Sequence, residues 1–429
     1  MNFDTFSFHP AVAKGAKEAG FVTPTPIQAQ AIPKVMKGRD VMGLAQTGTG
    51  KTAAFALPIL NRLINGPRGR IGALIIAPTR ELAEQIHGAI KVLGRQTRLR
   101  SAVVYGGVGI NPQIQALKRA DIVVGCPGRL LDHINRRTVD LSRLEVLVID
   151  EADQMFDMGF LPDIRRILTH VPSKNRQTLL FSATMPKDIR SLANDILHNP
   201  MTVQIGLTAP AETVSHALFP VAPHLKTALL IKLLGHTRSG SVLVFTRTKH
   251  RAKNLGEKLA RAGYRSTSLQ GNLSQGRRQA ALESFRSGKF QILVATDIAA
   301  RGIDVLNISH VINYDIPATP EAYIHRIGRT GRAECSGQAF TLITAEDTRM
   351  VKAINKAIGG HVEQRTLTDF NYNVPLASAG RKVNHAAKRT HLRGRRRAPK
   401  PKAEGRSHKG AFAWLSPKRS KSTVGYGKP

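Results

Sequence analysis

The chain has 429 residues, with 64 Lys plus Arg against 29 Asp plus Glu, a formal net charge of +35 and 41% hydrophobic residues. That length predicts two or three domains of ordinary size and excludes a lone small module, while the cationic excess argues against a charge-neutral metabolic enzyme and points to nucleic acid. Cys126 and Cys335 lack the spacing of a disulfide framework or zinc site, and no run approaches the roughly 18 apolar residues of a membrane span, so a soluble cytoplasmic protein without a membrane partner is expected.

In chain order, short apolar, β-branched runs recur between helix-like segments at 41–45, 73–77, 102–105, 122–125, 146–150 and 178–182. Near-continuous apolar runs of this length predict strands buried on both faces of a parallel sheet, with the intervening segments as crossover helices. Around 206–213 the pattern lapses into Gly, Thr, Ala and Pro, which predicts a linker. A second set of strands is expected at 242–245, 292–296, 310–314 and 339–343, with a helix over 249–262. From about Asn371 onward 16 Lys or Arg face one acid, Glu404, so the last 59 residues carry a net +15. Such a segment cannot bury enough apolar surface to offset its ordering entropy, and disorder is expected. The expected fold is therefore α/β: two parallel-sheet domains, 1–208 and 209–370, on a flexible linker, followed by a disordered basic tail over 371–429. The tail, densest at Arg393 and Arg395 to Arg397, reads as a tether for RNA phosphates or as a solubilising extension, with Phe412, Trp414 and Tyr426 as candidate stacking residues.

Ala45-Gln46-Thr47-Gly48-Thr49-Gly50-Lys51-Thr52 follows an expected strand and opens an expected helix, the context of a phosphate-binding loop. Gly48 and Gly50 let backbone N–H groups turn toward phosphate oxygens, and the helix start adds its dipole. In that setting Lys51 reaches the β and γ phosphates and the Thr52 hydroxyl ligates Mg²⁺. Asp150-Glu151 ends another expected strand, so both carboxylates emerge at the carboxyl edge of the sheet, where open α/β folds bind ligands. Asp150 suits Mg²⁺, which takes only one or two protein carboxylates, and Glu151 is left to orient and deprotonate a water. Alone, the pair would read as an acidic strand end in solvent; the phosphate loop upstream favours the catalytic reading.

Asp150-Glu151-Ala152-Asp153, with the phosphate loop before it and Ser182-Ala183-Thr184 after it, resembles the DEAD-box family of ATP-dependent RNA helicases in superfamily 2. The resemblance covers roughly residues 3–368, and Pro210-Ala211-Glu212-Thr213-Val214 is most similar to the bacterial RhlE-type branch. It implies two RecA-like domains, ATP with Mg²⁺, sequence-independent RNA binding, RNA-stimulated ATP hydrolysis and local unwinding of short duplexes. It further implies a monomer working on ribosomal precursors or in RNA-decay complexes. The alternative is an ATP-gated RNA clamp or chaperone acting mainly through the tail.

Position by position, the family's Q motif falls on Gly20-Phe21 and Pro24-Thr25-Pro26-Ile27-Gln28, with Gln28 expected on the adenine edge. Phe3 would stack on the base or, with Phe6 and Phe8 beside it, serve as a hydrophobic staple. Ala45, Gln46, Thr47, Gly48, Thr49, Gly50, Lys51 and Thr52 complete that half of the ATP site. In His325-Arg326-Ile327-Gly328-Arg329-Thr330-Gly331-Arg332, similar to motif VI, Arg329 and Arg332 are expected to face the γ phosphate as arginine fingers once the domains close. Gly302 and Asp304, in a motif V-like run, would meet the ribose. Ser182, Thr184 and His325 would link hydrolysis to RNA. The RNA-facing positions implied are Pro78, Thr79, Arg80, Glu81, Gly106, Gly107, Pro127, Gly128, Arg129, Thr246, Arg247, Gly271, Gln275, Arg278 and Thr296, mostly backbone groups, hydroxyls and arginines that hold sugar and phosphate without reading bases. Three departures stand out: Cys126 replaces a usual Thr, Gln270 a usual His and Gln154 a frequent Arg.

Overall fold

Fourteen strands among the described residues form two seven-stranded parallel sheets. The structure, a computed structural model, describes residues 2–45, 48–172, 175–205, 214–237, 240–300, 308–331 and 337–375. The first sheet holds β1 (Val41–Leu44), β2 (Ala73–Ile76), β3 (Ser101–Val104), β4 (Ile122–Gly125), β5 (Val146–Ile149), β6 (Gln177–Ser182) and β7 (Met201–Gln204), in the order β3-β4-β2-β5-β6-β1-β7. The second holds β8 (Val214–Pro220), β9 (Ser241–Phe245), β10 (Ser266–Leu269), β11 (Ile292–Ala295), β12 (Ile308–Asn313), β13 (Gly337–Ile343) and β14 (Glu363–Gln364), in the order β10-β11-β9-β12-β13-β8-β14. Counted from the start of each sheet, both orders read 3-4-2-5-6-1-7, so one RecA-like topology is used twice.

The apolar runs explain the layering. Successive strand residues point to opposite faces, and β2 accordingly sends Ala73 and Ile75 into one hydrophobic cluster and Leu74 and Ile76 into the other. The same alternation divides Val146 and Val148 from Leu147 and Ile149 in β5. Helices such as Pro26–Met36 and Lys51–Leu63 cover the first face, and Pro127–Asn135 and Lys187–Ile196 the second. The second sheet is sandwiched likewise between two clusters.

All ten expected strands form, and the expected helix over 249–262 is found as Lys249–Arg261. Four strands were not expected: β7, β8, β10 and β14. The expected end of the second domain at 370 falls short. Tyr372 packs edge-on against Phe370 at 4.8 Å and its hydroxyl accepts the Leu367 N–H at 3.0 Å, while the Val374 carbonyl lies 2.7 Å from His224 Nε2. Contacts therefore continue to Val374, because the Phe370 and Tyr372 rings find an apolar cluster there. The expected linker at 206–213, and the tail from 376, lie outside the described residues. No helix among the described residues is long and apolar enough to cross a membrane.

Candidate functional site

β1 lies between β6 and β7, and β6 lies beside β5. Parallel strands all end on the same edge, so this order sets the phosphate loop, Ser182 and Asp150-Glu151 side by side at carboxyl ends. The loop turns through left-handed glycines, Gly48 at φ 89° and Gly50 at φ 93°, a conformation open to glycine at little cost. Lys51 is buried and donates from Nζ to the Ala45 carbonyl at 3.0 Å. Gln28 braces the loop: its Oε1 accepts the Thr25 N–H at 2.9 Å, and its Nε2 donates to the Gly50 carbonyl at 3.0 Å. Thr25 Oγ1 donates to the Thr49 carbonyl at 2.8 Å. Among the described residues, these bonds leave one oxygen lone pair and one N–H of the Gln28 amide for another group. Phe3 is buried edge-on against Phe6 and Phe21, with ring centroids 5.6 and 5.5 Å away.

Asp150 and Glu151 are each 2% exposed. Burial pushes the Asp150 carboxyl up to about 6; Lys51 opposes that rise and Glu151 reinforces it. Glu151 adopts left-handed backbone angles, φ 54° and ψ 51°, strain of roughly 1–2 kcal/mol for a residue with a Cβ. A buried carboxyl disfavoured as an anion, close enough to Lys51 to feel its charge, together with the hydroxyl of the next residue, Thr52, at a helix start, offers hard oxygen donors that fit Mg²⁺. Among the described residues no cluster of three or more His, Cys, Asp or Glu could hold a metal alone.

Asp153 ties the tetrad to β6. Its Oδ2 accepts the Ala183 N–H at 3.1 Å, the Thr184 N–H at 2.8 Å and the Thr184 hydroxyl at 3.1 Å, and its Oδ1 accepts the Gln154 N–H at 3.0 Å. The Asp153 N–H donates to Ser182 Oγ at 3.2 Å, and that hydroxyl donates to the Thr184 carbonyl at 2.7 Å. From the second lobe, His325 Nε2 comes within 4.0 Å of Asp153 Oδ2. Among the described residues, His325 Nε2 and the buried Gln154 Oε1 have no hydrogen-bond partner, and both side chains line one small concavity shared with Arg326 and Arg329.

The arginines of the motif divide by role. Arg326 is held within its own lobe: it grips Asp297 with Nε at 2.5 Å and Nη2 at 2.6 Å, donates from Nη1 to Asn313 Oδ1 and the Asp315 carbonyl, and stacks over the Phe245 ring at 4.9 Å. Arg329 is 6% exposed in the concavity that also holds Gln154. Gln46, Thr47, Gly302, Asp304 and Arg332 lie outside the described residues.

Eleven of the expected RNA-facing residues line one open cleft of about 680 Å³: Pro78, Thr79, Arg80, Glu81, Gly106, Gly128, Arg129, Arg247, Gly271, Arg278 and Thr296. Cys126 lines it too. Four others do not. Thr246 is fully buried, and Pro127 is buried at the start of the helix Pro127–Asn135. Gly107, at φ 82°, supports the Arg80 guanidinium so closely that a Cβ there would lie 2.3 Å from Nη1. Gln275 accepts from Arg80 Nη1 across the lobes at 3.4 Å. A second bridge joins the lobes beside it, Arg278 Nε and Nη2 reaching Glu81 Oε1 at 2.8 and 2.7 Å. Thr79 also caps the helix Arg80–Leu93 by accepting the Leu82 N–H. Met158, Phe160, Leu273 and Lys249 line the cleft as well; sequence reasoning missed the first three because apolar residues beside a motif carry no spacing of their own, and Lys249 because one lysine among 64 Lys plus Arg does not stand out. Burial pushes the Cys126 thiol up to about 12, with Glu81 reinforcing and Arg80 opposing, so it is a weak donor facing the cleft.

Comparison with known proteins agrees with this geometry. The DEAD/DEAH box helicase family model matches residues 25–192, and the helicase conserved C-terminal domain model matches 225–334. The chain is 43% identical to the DEAD-box ATP-dependent RNA helicase RhpA of Helicobacter pylori over 374 residues, which cover 87% of this chain and 75% of that one. It is 45% identical to the DEAD-box ATP-dependent RNA helicase CshA of Bacillus subtilis over 360 residues, 83% of this chain and 72% of that one. It is also similar to S. cerevisiae Dbp5 bound to RNA and ADP BeF3, with a TM-score of 0.76 and 33% identity over 85% of this chain and 95% of that one. These relatives do not carry the RhlE name, and the residues that suggested that branch fall mostly outside those described. With motifs, doubled topology and cleft in agreement, the chain belongs to the DEAD-box family of ATP-dependent RNA helicases.

Proposed function

We propose that this chain hydrolyses ATP in response to RNA and uses closure of its two lobes to pry open short RNA duplexes locally. The observation that carries the reading is the set of bonds crossing the cleft, Arg80 to Gln275, Glu81 to Arg278 and the approach of His325 to Asp153. Neither lobe alone completes the site, so closure is the switch, and ATP and RNA each favour the closed state.

In this reading Lys51 and the loop N–H groups hold the phosphates, with Thr52 and Asp150 as the residues that would hold Mg²⁺. The ion supplies charge neutralisation on the transferring phosphoryl group. Glu151 takes the proton of the attacking water, and Arg329 and Arg332 meet charge developing on the γ phosphate. Asp153, Ser182, Thr184 and His325 pass the state of the nucleotide to the RNA cleft, where Arg80, Arg129, Arg247 and Arg278 hold phosphates. An RNA strand gripped through its backbone and bent by the closed cleft cannot stay in a regular A-form helix, and a few pairs open. Such contacts read no sequence, which suits work on ribosomal precursors or decaying RNA.

Phosphate release measured with and without RNA at moderate salt tests the reading; equal rates in folded protein would end it. Glu151→Gln should nearly abolish turnover and trap an ATP–RNA complex, whereas loss of ATP affinity would remove Glu151 as the base.

A further inference from the structure

Four arginines of the first lobe repeat one position. Arg98, Arg119, Arg70 and Arg143 each stand three residues before the first residue of β3, β4, β2 and β5. Those strands are consecutive in the sheet, and their first residues pair in register: Ser101 with Ile122, Ile122 with Ala73, and Ala73 with Val146. A strand spacing of about 4.8 Å gives a row roughly 14 Å long. Arg70 pairs with Glu145 at 3.3 Å, whereas Arg98, Arg119 and Arg143 are exposed and hold no ion pair among the described residues. Lys118 joins two concavities along the row, one shared with Arg70 and Arg143 and the other with Arg100 and Arg119. Besides Glu145, two acids among the described residues adjoin the row: Asp121 is 3% exposed and its carboxylate oxygens accept the Gly69 and Arg100 backbone N–H groups at 2.8 Å, while the exposed Asp140 shares the first concavity with Arg143 and accepts the Ser142 N–H at 2.9 Å.

Helix ends explain part of this charge. The helices Arg80–Leu93 and Ile110–Leu117 finish on this side, and their carbonyl ends attract cations such as Lys91 and Lys118. That effect asks for nothing at a fixed distance before each strand. The second sheet repeats the topology, yet its equivalent positions hold Gly263, Lys289, Arg238 and Val305. Neither concavity is lined by a large exposed hydrophobic residue, the anchor a specific protein partner needs. Repeated guanidinium groups without such anchors match a phosphate backbone.

We propose that this row is a second RNA-binding track, taking the backbone of a segment outside the cleft. The proposal rests on the RNA-helicase reading above. The row precedes the amino ends of the strands while the cleft lies beyond their carboxyl ends, so four-residue strands of about 13 Å and their loops separate the two. Its occupant is therefore a flanking stretch of a long RNA, and the track anchors the enzyme beside the duplex that the cleft opens.

The test uses the full chain with Arg98→Gln, Arg119→Gln and Arg143→Gln combined, and a Lys variant at the same positions as charge rescue. Binding is measured, with a non-hydrolysable ATP analogue, to a ten-nucleotide single strand and to that strand carrying a long duplex flank. Short-strand affinity and short-strand-stimulated turnover should stay within about twofold. Long-RNA affinity should fall about tenfold or more at 0.1 M salt, the logarithmic salt dependence should flatten by about two to three, and the Lys variant should recover both. Unchanged long-RNA affinity and salt dependence overturn the track, and retained short-strand stimulation in the same experiment leaves the helicase reading standing. A parent chain without RNA stimulation overturns the helicase reading instead. If polyglutamate, and not long RNA, distinguishes parent from variant, the row docks acidic protein and the proposal is wrong.

Discussion

Glu81 offers a test whose sign separates two ideas. By charge alone, deleting an acid from a cleft that binds a polyanion should tighten RNA binding. Our account predicts the reverse, because Glu81 holds Arg278 of the opposite lobe with side chains only 8% and 13% exposed. Breaking a buried pair by removing one partner costs about 3–5 kcal/mol. This pair lies in a cleft that opens to water, so roughly 2 kcal/mol is a fairer figure, and it falls on the closed state alone because both ends are hydrated once the lobes part. That is about a 30-fold shift in the closure equilibrium. Glu81→Ala should therefore weaken RNA affinity about 30-fold with a non-hydrolysable ATP analogue present and less than about twofold without nucleotide, read by fluorescence anisotropy of a labelled oligoribonucleotide at fixed salt. The exchange Glu81→Arg with Arg278→Glu should recover part of the loss. Tighter RNA binding by Glu81→Ala, or a nucleotide effect as large as in the parent, would refute the reasoning.

Three further outcomes follow from single residues. Asp153→Asn offers one carbonyl where the carboxylate accepts four donors, so at least one buried N–H loses its acceptor; the first urea transition should fall by about 2–4 kcal/mol, and RNA should no longer stimulate turnover. Gly50→Ala puts a Cβ 2.5 Å from Gln28 Nε2 on a backbone at φ 93°, and nucleotide affinity by calorimetry should drop at least tenfold. With its thiol pushed up to about 12 by burial, Cys126 carries almost no thiolate at pH 8 and should alkylate roughly a thousandfold more slowly than an ordinary thiol, as read by peptide mass mapping. Rapid labelling would show that its surroundings are misassigned.

The fold was legible where burial on both faces left continuous apolar runs, as in Ala73–Ile76 and Val146–Ile149. It was illegible where that signal is absent. β10 is Ser-Thr-Ser-Leu, β14 has two exposed polar residues, and β7 at the edge of its sheet buries only Val203. The site was legible through contiguous motifs, whose spacing is set by a single loop or strand end. Contacts between residues 195 and 197 positions apart, Arg80 with Gln275 and Glu81 with Arg278, leave no periodic trace. Nor could spacing alone give the partners of Arg326, which Asp297, Asn313 and Asp315 supply.

The central claim is that ATP and RNA stabilise one closed arrangement of the lobes. The most direct measurement closes a thermodynamic box: RNA affinity with and without a non-hydrolysable ATP analogue, and analogue affinity with and without a saturating short RNA strand. The account predicts that each ligand tightens the other by the same factor, between about 5-fold and 150-fold. Equal RNA affinities with and without the analogue, in protein that binds both, would contradict it.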